Sequence, residues 1–232
     1  GVFSKNVSDL FGVDLDNDGD QDMVGVYYNY FSVRFNDGSG TYGFGTATDY
    51  NLANVTSILP ADLDNDGDVD ILAMRANDKL LVCMENNGSG VFTQKSTLSN
   101  NVVVTGGRWD TGDFNNDGII DVAMTGNDGS GEAIFIYTND GDMNFTLYHE
   151  SGTISGRNNI YATDLNNDGH VDFVTSGYYE SYGVVLNNGD GPLGSETTFS
   201  APSGAYTRGI AAELTGYGYT DVIVLHYYAA KG

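Results

Sequence analysis

Asp14-Leu15-Asp16-Asn17-Asp18-Gly19-Asp20-Gln21-Asp22 is the stretch around which the whole chain is organised. It packs five carboxylates into nine residues, alternating with other side chains, and places a glycine at the sixth position. The pattern returns as Asp62-Leu63-Asp64-Asn65-Asp66-Gly67-Asp68-Val69-Asp70 and as Asp113-Phe114-Asn115-Asn116-Asp117-Gly118-Ile119-Ile120-Asp121. A fourth copy is Asp164-Leu165-Asn166-Asn167-Asp168-Gly169-His170-Val171-Asp172, and a worn fifth runs from Glu213 to Asp221. The starts lie 48, 51, 51 and 49 residues apart, so a unit of about 50 residues repeats along the chain. Units begin near residues 8, 56, 107, 158 and 207, and residues 1–232 read as a single domain built from them.

The repeat accounts for the composition. Of 232 residues, 32 are acidic and 9 basic, giving a formal charge of −23. The four good copies hold 16 of the 26 aspartates, so the acidity is local and periodic. It excludes a sequence-independent nucleic-acid binder, which needs a basic footprint, and disfavours docking on anionic lipid. No apolar run approaches the roughly 18 residues of a membrane span. The opening residues, Gly1 to Leu10, lack the basic start and apolar stretch of a signal peptide, so a secreted protein would be met here in processed form. Cys83, the single cysteine, sits in the apolar run Leu81-Val82-Cys83-Met84 and reads as a buried small hydrophobe.

Around each nine-residue loop the sequence reads as strands. Short apolar runs follow the ninth position: Met23–Val26, Ile71–Met74, Val122–Met124, Phe173–Thr175 and Val222–Leu225. A further run comes next in four units (Ser32–Phe35, Leu80–Cys83, Ile134–Tyr137, Val184–Leu186) and ends at Asn36-Asp37-Gly38, Asn86-Asn87-Gly88, Asn139-Asp140-Gly141 or Asn187-Asn188-Gly189. Those are hairpin signals, since Asn and Gly supply the positive φ of tight turns. A fourth strand begins near Gly90-Val91-Phe92, and no segment has helical periodicity. Four strands in about 50 residues predict an all-β propeller of about five four-stranded blades. Gly1-Val2-Phe3-Ser4-Lys5 matches the start of a fourth strand, so the N-terminal strand is expected to complete an otherwise incomplete fifth blade.

The loop chemistry points to a cation. Carboxylates crowded to about 4 Å repel by roughly 4 kcal/mol per pair at an effective dielectric near 20, and a bound ion offsets that. The expected side-chain ligands are Asp14, Asp16, Asp18 and Asp22, then Asp62, Asp64, Asp66 and Asp70. The later copies offer Asp113, Asn115, Asp117 and Asp121, and Asp164, Asn166, Asp168 and Asp172. All are hard oxygens, which selects Ca²⁺ at four sites over zinc or copper. The seventh residue (Asp20, Asp68, Ile119, His170) varies in type, so its backbone carbonyl is the expected further ligand and the His170 ring is not one. An EF-hand would need Glu at position twelve, where Gly25, Ala73, Met124 and Thr175 stand. The fifth copy, with Thr215 and Tyr217, is expected to bind no ion. Loops three and four carry one carboxylate fewer and are expected to lose calcium first.

The nine-residue cage between first and second strands, repeated about every 50 residues, resembles the FG-GAP/VCBS repeats of integrin-alpha-like β-propellers. The resemblance implies cages on one face and, on the other, the first-strand starts and the loops joining strands two and three. Known propellers of that family mostly have seven or eight blades.

Those opposite loops carry the candidate ligand-binding residues: Tyr27, Tyr28, Tyr30, Tyr178, Tyr179, Tyr182, Tyr227 and Tyr228, with Arg108, Arg157 and Arg208 at the first-strand entries. Tyr and Arg converging on one face suit sugar stacking or a protein hot spot. The bland alternative is tyrosine packing between blades. Trp109 aligns with Leu10, Ile58 and Ile160 and reads as core. No nucleophile elbow is present, and Glu85, Glu132, Glu150, Glu180 and Glu196 form no recognisable catalytic pair in sequence, so no catalytic residue is assigned. The expectation is a non-catalytic, calcium-stabilised module at the cell surface or outside the cell, binding carbohydrate or protein. An alternative is a structural subunit, in which a homo-oligomer or larger assembly joins through the open blade edge. A lyase or hydrolase acting on carbohydrate is a further alternative.

Overall fold

The computed structural model describes residues 7–40, 43–75, 79–99, 109–127, 129, 131–152, 154, 156–177, 181–189, 193–200, 206–212 and 220–227, with only the backbone for 206–212 and 224–227. Four antiparallel sheets follow one another, each with its four strands in sequence order. The first comprises β1 (Leu10–Val13), β2 (Asp22–Tyr27), β3 (Tyr30–Arg34) and β4 (Thr48–Asn51). The second comprises β5 (Ser57–Ala61), β6 (Asp70–Arg75), β7 (Leu80–Asn86) and β8 (Phe92–Ser99). β9 (Trp109–Gly112), β10 (Asp121–Asn127), β11 (Glu132–Asn139) and β12 (Phe145–Glu150) form the third. β13 (Arg157–Thr163), β14 (Asp172–Gly177), β15 (Ser181–Val185) and β16 (Thr197–Ser200) form the fourth. These are the blades of an all-β propeller, and no helix occurs among the described residues.

The expectation of about five four-stranded blades is corrected to four. Among the described residues the fifth repeat supplies two strands, β17 (Tyr206–Ala212) and β18 (Asp221–Tyr227), paired from Tyr206↔Tyr227 to Ala212↔Asp221. Paired only with each other, these two strands make half of a four-stranded blade, so the described residues hold four complete blades. Gly1–Asn6, expected to complete that blade, lie outside the described residues.

Two compact units divide the chain. The first holds residues 1–101 with 141–144, the second 102–140 with 145–232. Within each blade the middle strands are buried on both faces and read as continuous apolar runs, as in β6, where Asp70 to Met74 are all buried. The last strand is mostly exposed, and its alternating polar residues suit a solvated edge, as in β8. The core of the first unit joins Val24, Val26, Phe31, Val33, Ile58, Ile71 and Val82. Phe31 stacks on Tyr50 at 4.7 Å and meets Phe92 edge-on at 5.6 Å. In the second unit Phe114, Ile134, Ile136, Ile160, Phe173 and Val185 close together, with the Phe114 and Phe173 rings 5.1 Å apart. Trp109 is buried, as its alignment suggests, whereas the aligned Leu10 is 55% exposed. Cys83 is buried in β7.

Candidate calcium cages and an exposed tyrosine turn

Each acidic loop joins the first and second strands of its blade, and the four share one conformation. The fourth residue (Asn17, Asn65, Asn116, Asn167) takes φ of +60° to +61°, a left-handed state that asparagine tolerates. The sixth, Gly19, Gly67, Gly118 or Gly169, reaches φ of +84° to +93°, which turns the chain back on itself. That turn directs the glycine N–H to the first aspartate's Oδ2, at 3.0, 3.1, 2.9 and 2.9 Å. The seventh N–H meets the fifth aspartate's Oδ1 at 2.8–2.9 Å. The ninth aspartates, Asp22, Asp70, Asp121 and Asp172, are fully buried buckles. One oxygen accepts the N–H of Leu15, Leu63, Phe114 or Leu165 within the loop. The other accepts the N–H of Asn36, Asn86, Asn139 or Asn187, the asparagine that begins the blade's own hairpin, at 2.8 Å.

The residues present fit a hard cation. Oδ1 of Asp14, Asp16, Asp62 and Asp64 is buried and has no hydrogen-bond partner, although carboxylate oxygens of this kind are ordinarily satisfied. Carboxylate oxygens of Asp14, Asp16 and Asp18 lie within 4.8 Å of one another, and so do those of Asp62, Asp64 and Asp70. In the later loops the amide of Asn115 donates to Asp117 Oδ2 at 2.8 Å, and that of Asn166 to Asp168 Oδ2 at 2.9 Å. There an asparagine N–H meets the carboxylate, a bond that coordination of the same oxygen would compete with.

On the loops between second and third strands, β2 and β3 are joined by the two-residue turn Tyr28-Asn29. Tyr28 has φ of +50° and is 77% exposed. The Tyr27 ring meets it edge-on, centroids 5.0 Å apart at 80°. Asn29 anchors the turn, accepting Leu52 N–H at its carbonyl (2.7 Å) and Asn54 N–H at Oδ1 (3.0 Å). Tyr30 is half-buried. In the second unit Tyr182 stacks on Phe199 at 5.2 Å. Arg157 is turned inward and 2% exposed: Nε pairs with Glu196 Oε1 at 2.9 Å, and Nη1 donates to the Ser181 carbonyl and Oγ. Thr175 Oγ1 donates to the same Glu196 oxygen at 2.5 Å. Glu85 is held by Lys95, and Glu132 accepts Gly156 N–H. Arg108, Tyr178, Tyr179 and Tyr228 lie outside the described residues, and the side chains of Arg208 and Tyr227 do too.

The model of the FG-GAP-like repeat matches residues 14–73 and 113–175, more than half of the chain. The chain belongs to the FG-GAP-like repeat family. Among solved structures it is similar to a lectin of Agrocybe aegerita described as recognising non-reducing terminal N-acetylglucosamine. The TM-score is 0.68 at 23% identity, over 94% of this chain and 61% of that one. The likeness establishes the propeller fold, and this chain spans about three-fifths of the lectin's length. No curated protein sequence matches the chain.

Charge crowding in the FG-GAP-like loops follows from the same geometry. Burial raises the Asp16 and Asp64 carboxyls above the usual range, reinforced by the neighbouring Asp18 and Asp66 charges. Burial also raises Asp22 and Asp172, and pushes Asp70 to about 7 and Asp121 to about 6, against the pull of the two N–H groups each accepts. Two sets of residues in the repeat carry more than their sequence reading implied. The hairpin asparagines were legible as turn formers, yet Asn86 and Asn187 are buried and bond across blades. Asparagine recurs at the fourth loop position in all four good copies, the one signal that could have marked Asn17 and Asn116.

Proposed function

We propose that this chain is a calcium-stabilised, non-catalytic module that binds carbohydrate through its tyrosine-bearing loops, outside the cell or at its surface. The observation that carries the reading is Tyr28. A bulky side chain at positive φ is an outlier, and a turn starting with that conformation normally takes glycine. Such strain persists where the surroundings enforce it and gathers at ligand-binding positions. Here it holds an aromatic face in water beside a second ring, the arrangement on which a sugar stacks. The lectin with the same fold, which by its description recognises a terminal N-acetylglucosamine, supports a sugar over a protein as ligand. Calcium has a structural role in this reading, because the cages supply its oxygens from within single loops.

A glycan array probed with the calcium-loaded chain tests the reading directly. Binding to a defined set of terminal sugars is expected, and Tyr28→Ala should lower it at least about tenfold, as loss of a buried aromatic contact does. An array without signal, or signal unchanged in the variant, would overturn it.

A further inference from the structure

The seventh loop position, free to vary as a metal ligand, has a second partner. Asp68 in the second cage receives a hydrogen bond from the Asn17 amide of the first cage at 2.6 Å. In the second unit, Asn116 Nδ2 of the third cage lies 2.5 Å from His170 Nδ1 of the fourth, with the ring nitrogen as acceptor. Both receiving side chains are backed by their own blade's hairpin glycine. A Cβ on Gly88 would stand 2.5 Å from Asp68 Oδ2, and one on Gly189 would collide with the His170 ring. Asp68 and His170 are thus each gripped between their own hairpin and the preceding cage. Ile119, at the same position of the third cage, has no hydrogen-bond acceptor in its side chain, so this clasp joins cage one to two and three to four.

A buried relay runs in parallel. Asn86 Nδ2 donates to the Leu15 carbonyl, second residue of cage one, at 2.8 Å, while its backbone N–H donates to Asp70, ninth residue of cage two. Asn187 does the same between the Phe114 carbonyl of cage three and Asp172 of cage four. The fourth residue's left-handed backbone sets both the cage's ligand positions and the reach of its amide. The gripped seventh residue is the one whose carbonyl is expected to ligate the next ion. The conformation of one cage therefore positions a ligand of its neighbour.

We propose that calcium binds in cooperative pairs, cage one with cage two and cage three with cage four, coupled through the Asn17–Asp68 and Asn116–His170 clasps and the Asn86 and Asn187 relays. The proposal rests on the calcium reading of the loops. Calcium titration of the full chain, followed by amide hydrogen exchange over residues 62–70, reads cage two by itself. Disabling cage one with Asp14→Asn and Asp16→Asn should weaken cage two about fivefold or more, within the usual span of site–site coupling. Asn17→Gly keeps the left-handed backbone and deletes the amide. It should weaken cage two by a similar factor while melting like the unaltered chain at saturating calcium, and it should add little to the cage-one variant. Coupling that survives Asn17→Gly supports the pairing and assigns it to the Asn86 relay. A cage-two midpoint indifferent to the cage-one changes overturns the pairing while leaving calcium binding intact. Exchange in the unaltered chain that ignores calcium at every cage overturns the calcium reading and the pairing with it.

Discussion

Tyr28 and Cys83 are each set by a single physical conflict. At Tyr28 a ring is held outward at a backbone angle that costs roughly 1 kcal/mol for a residue with a Cβ. Tyr28→Gly should therefore leave the fold as stable or up to about 1 kcal/mol steadier in urea while abolishing the sugar contact, a divergence that separates a binding residue from a packing one. At Cys83 the conflict is solvation. Burial in β7, with a smaller push from the Asp70 charge and a partial offset from Ser96, raises the thiol from its ordinary 9.0 to about 11. Between those values the unfolded chain has lost its thiol proton and the folded chain has not. The unfolded state then binds fewer protons, and stability falls as pH rises from about 9 to about 11. Cys83→Ala should lessen that alkaline decline in melting temperature, and a disulfide-forming thiol reagent at pH 8 should label Cys83 only after denaturant is added.

The repeated element is a loop buckled to a hairpin by one buried carboxylate. Asp70 joins Leu63 N–H and Asn86 N–H, so Asp70→Ala strands two buried donors. About 3 kcal/mol or more of stability should go, measured by urea unfolding with calcium present, since each unsatisfied donor costs about 1–3 kcal/mol. In the fourth blade the comparable element is the Arg157–Glu196 pair with Thr175 and Ser181. Glu196→Gln leaves a buried guanidinium without its counter-charge and should cost about 3 kcal/mol or more. Replacing both partners by apolar residues should cost less than that single change, and the two unfolding curves compare them directly.

At the scale of the molecule, the cages differ by unit. Cages one and two each hold buried oxygens without a hydrogen-bond partner and carboxylates within 4.8 Å of one another, whereas cages three and four tether the carboxylate at their fifth position with an asparagine amide. Chelation should lower the melting temperature, and amide exchange should rise most over 14–22 and 62–70, because only there does ion removal leave like charges facing without a donor between them. Cages three and four should release calcium at lower chelator concentration, having less ligand charge, yet their loops should loosen less. Equal exchange in all four loops after chelation would contradict this asymmetry.

The repeated four-stranded unit and its acidic loop are legible in the sequence, whereas the number of complete blades is not. A nine-residue acidic loop, apolar runs of strand length and an Asn-x-Gly turn are local signals, and each repeats at a fixed spacing that only stacked antiparallel units satisfy. It also placed Cys83 and Trp109 in the interior, since both sit in register with apolar positions. Where the polar side chains go depends on how the blades pack. Arg157 reads as a surface guanidinium at a strand entry, yet Glu196, 39 residues on, draws it inward. Tyr28 reads as one of eight equivalent loop tyrosines, and among the described ones its backbone angle and exposure single it out. Asn17 is marked in the sequence only by its recurrence at the fourth loop position, and its bond to Asp68, 51 residues on, exists because packing brings the two loops within reach. Local propensity and periodicity specify elements; which donor meets which acceptor depends on how those elements pack, and no spacing along the chain encodes it.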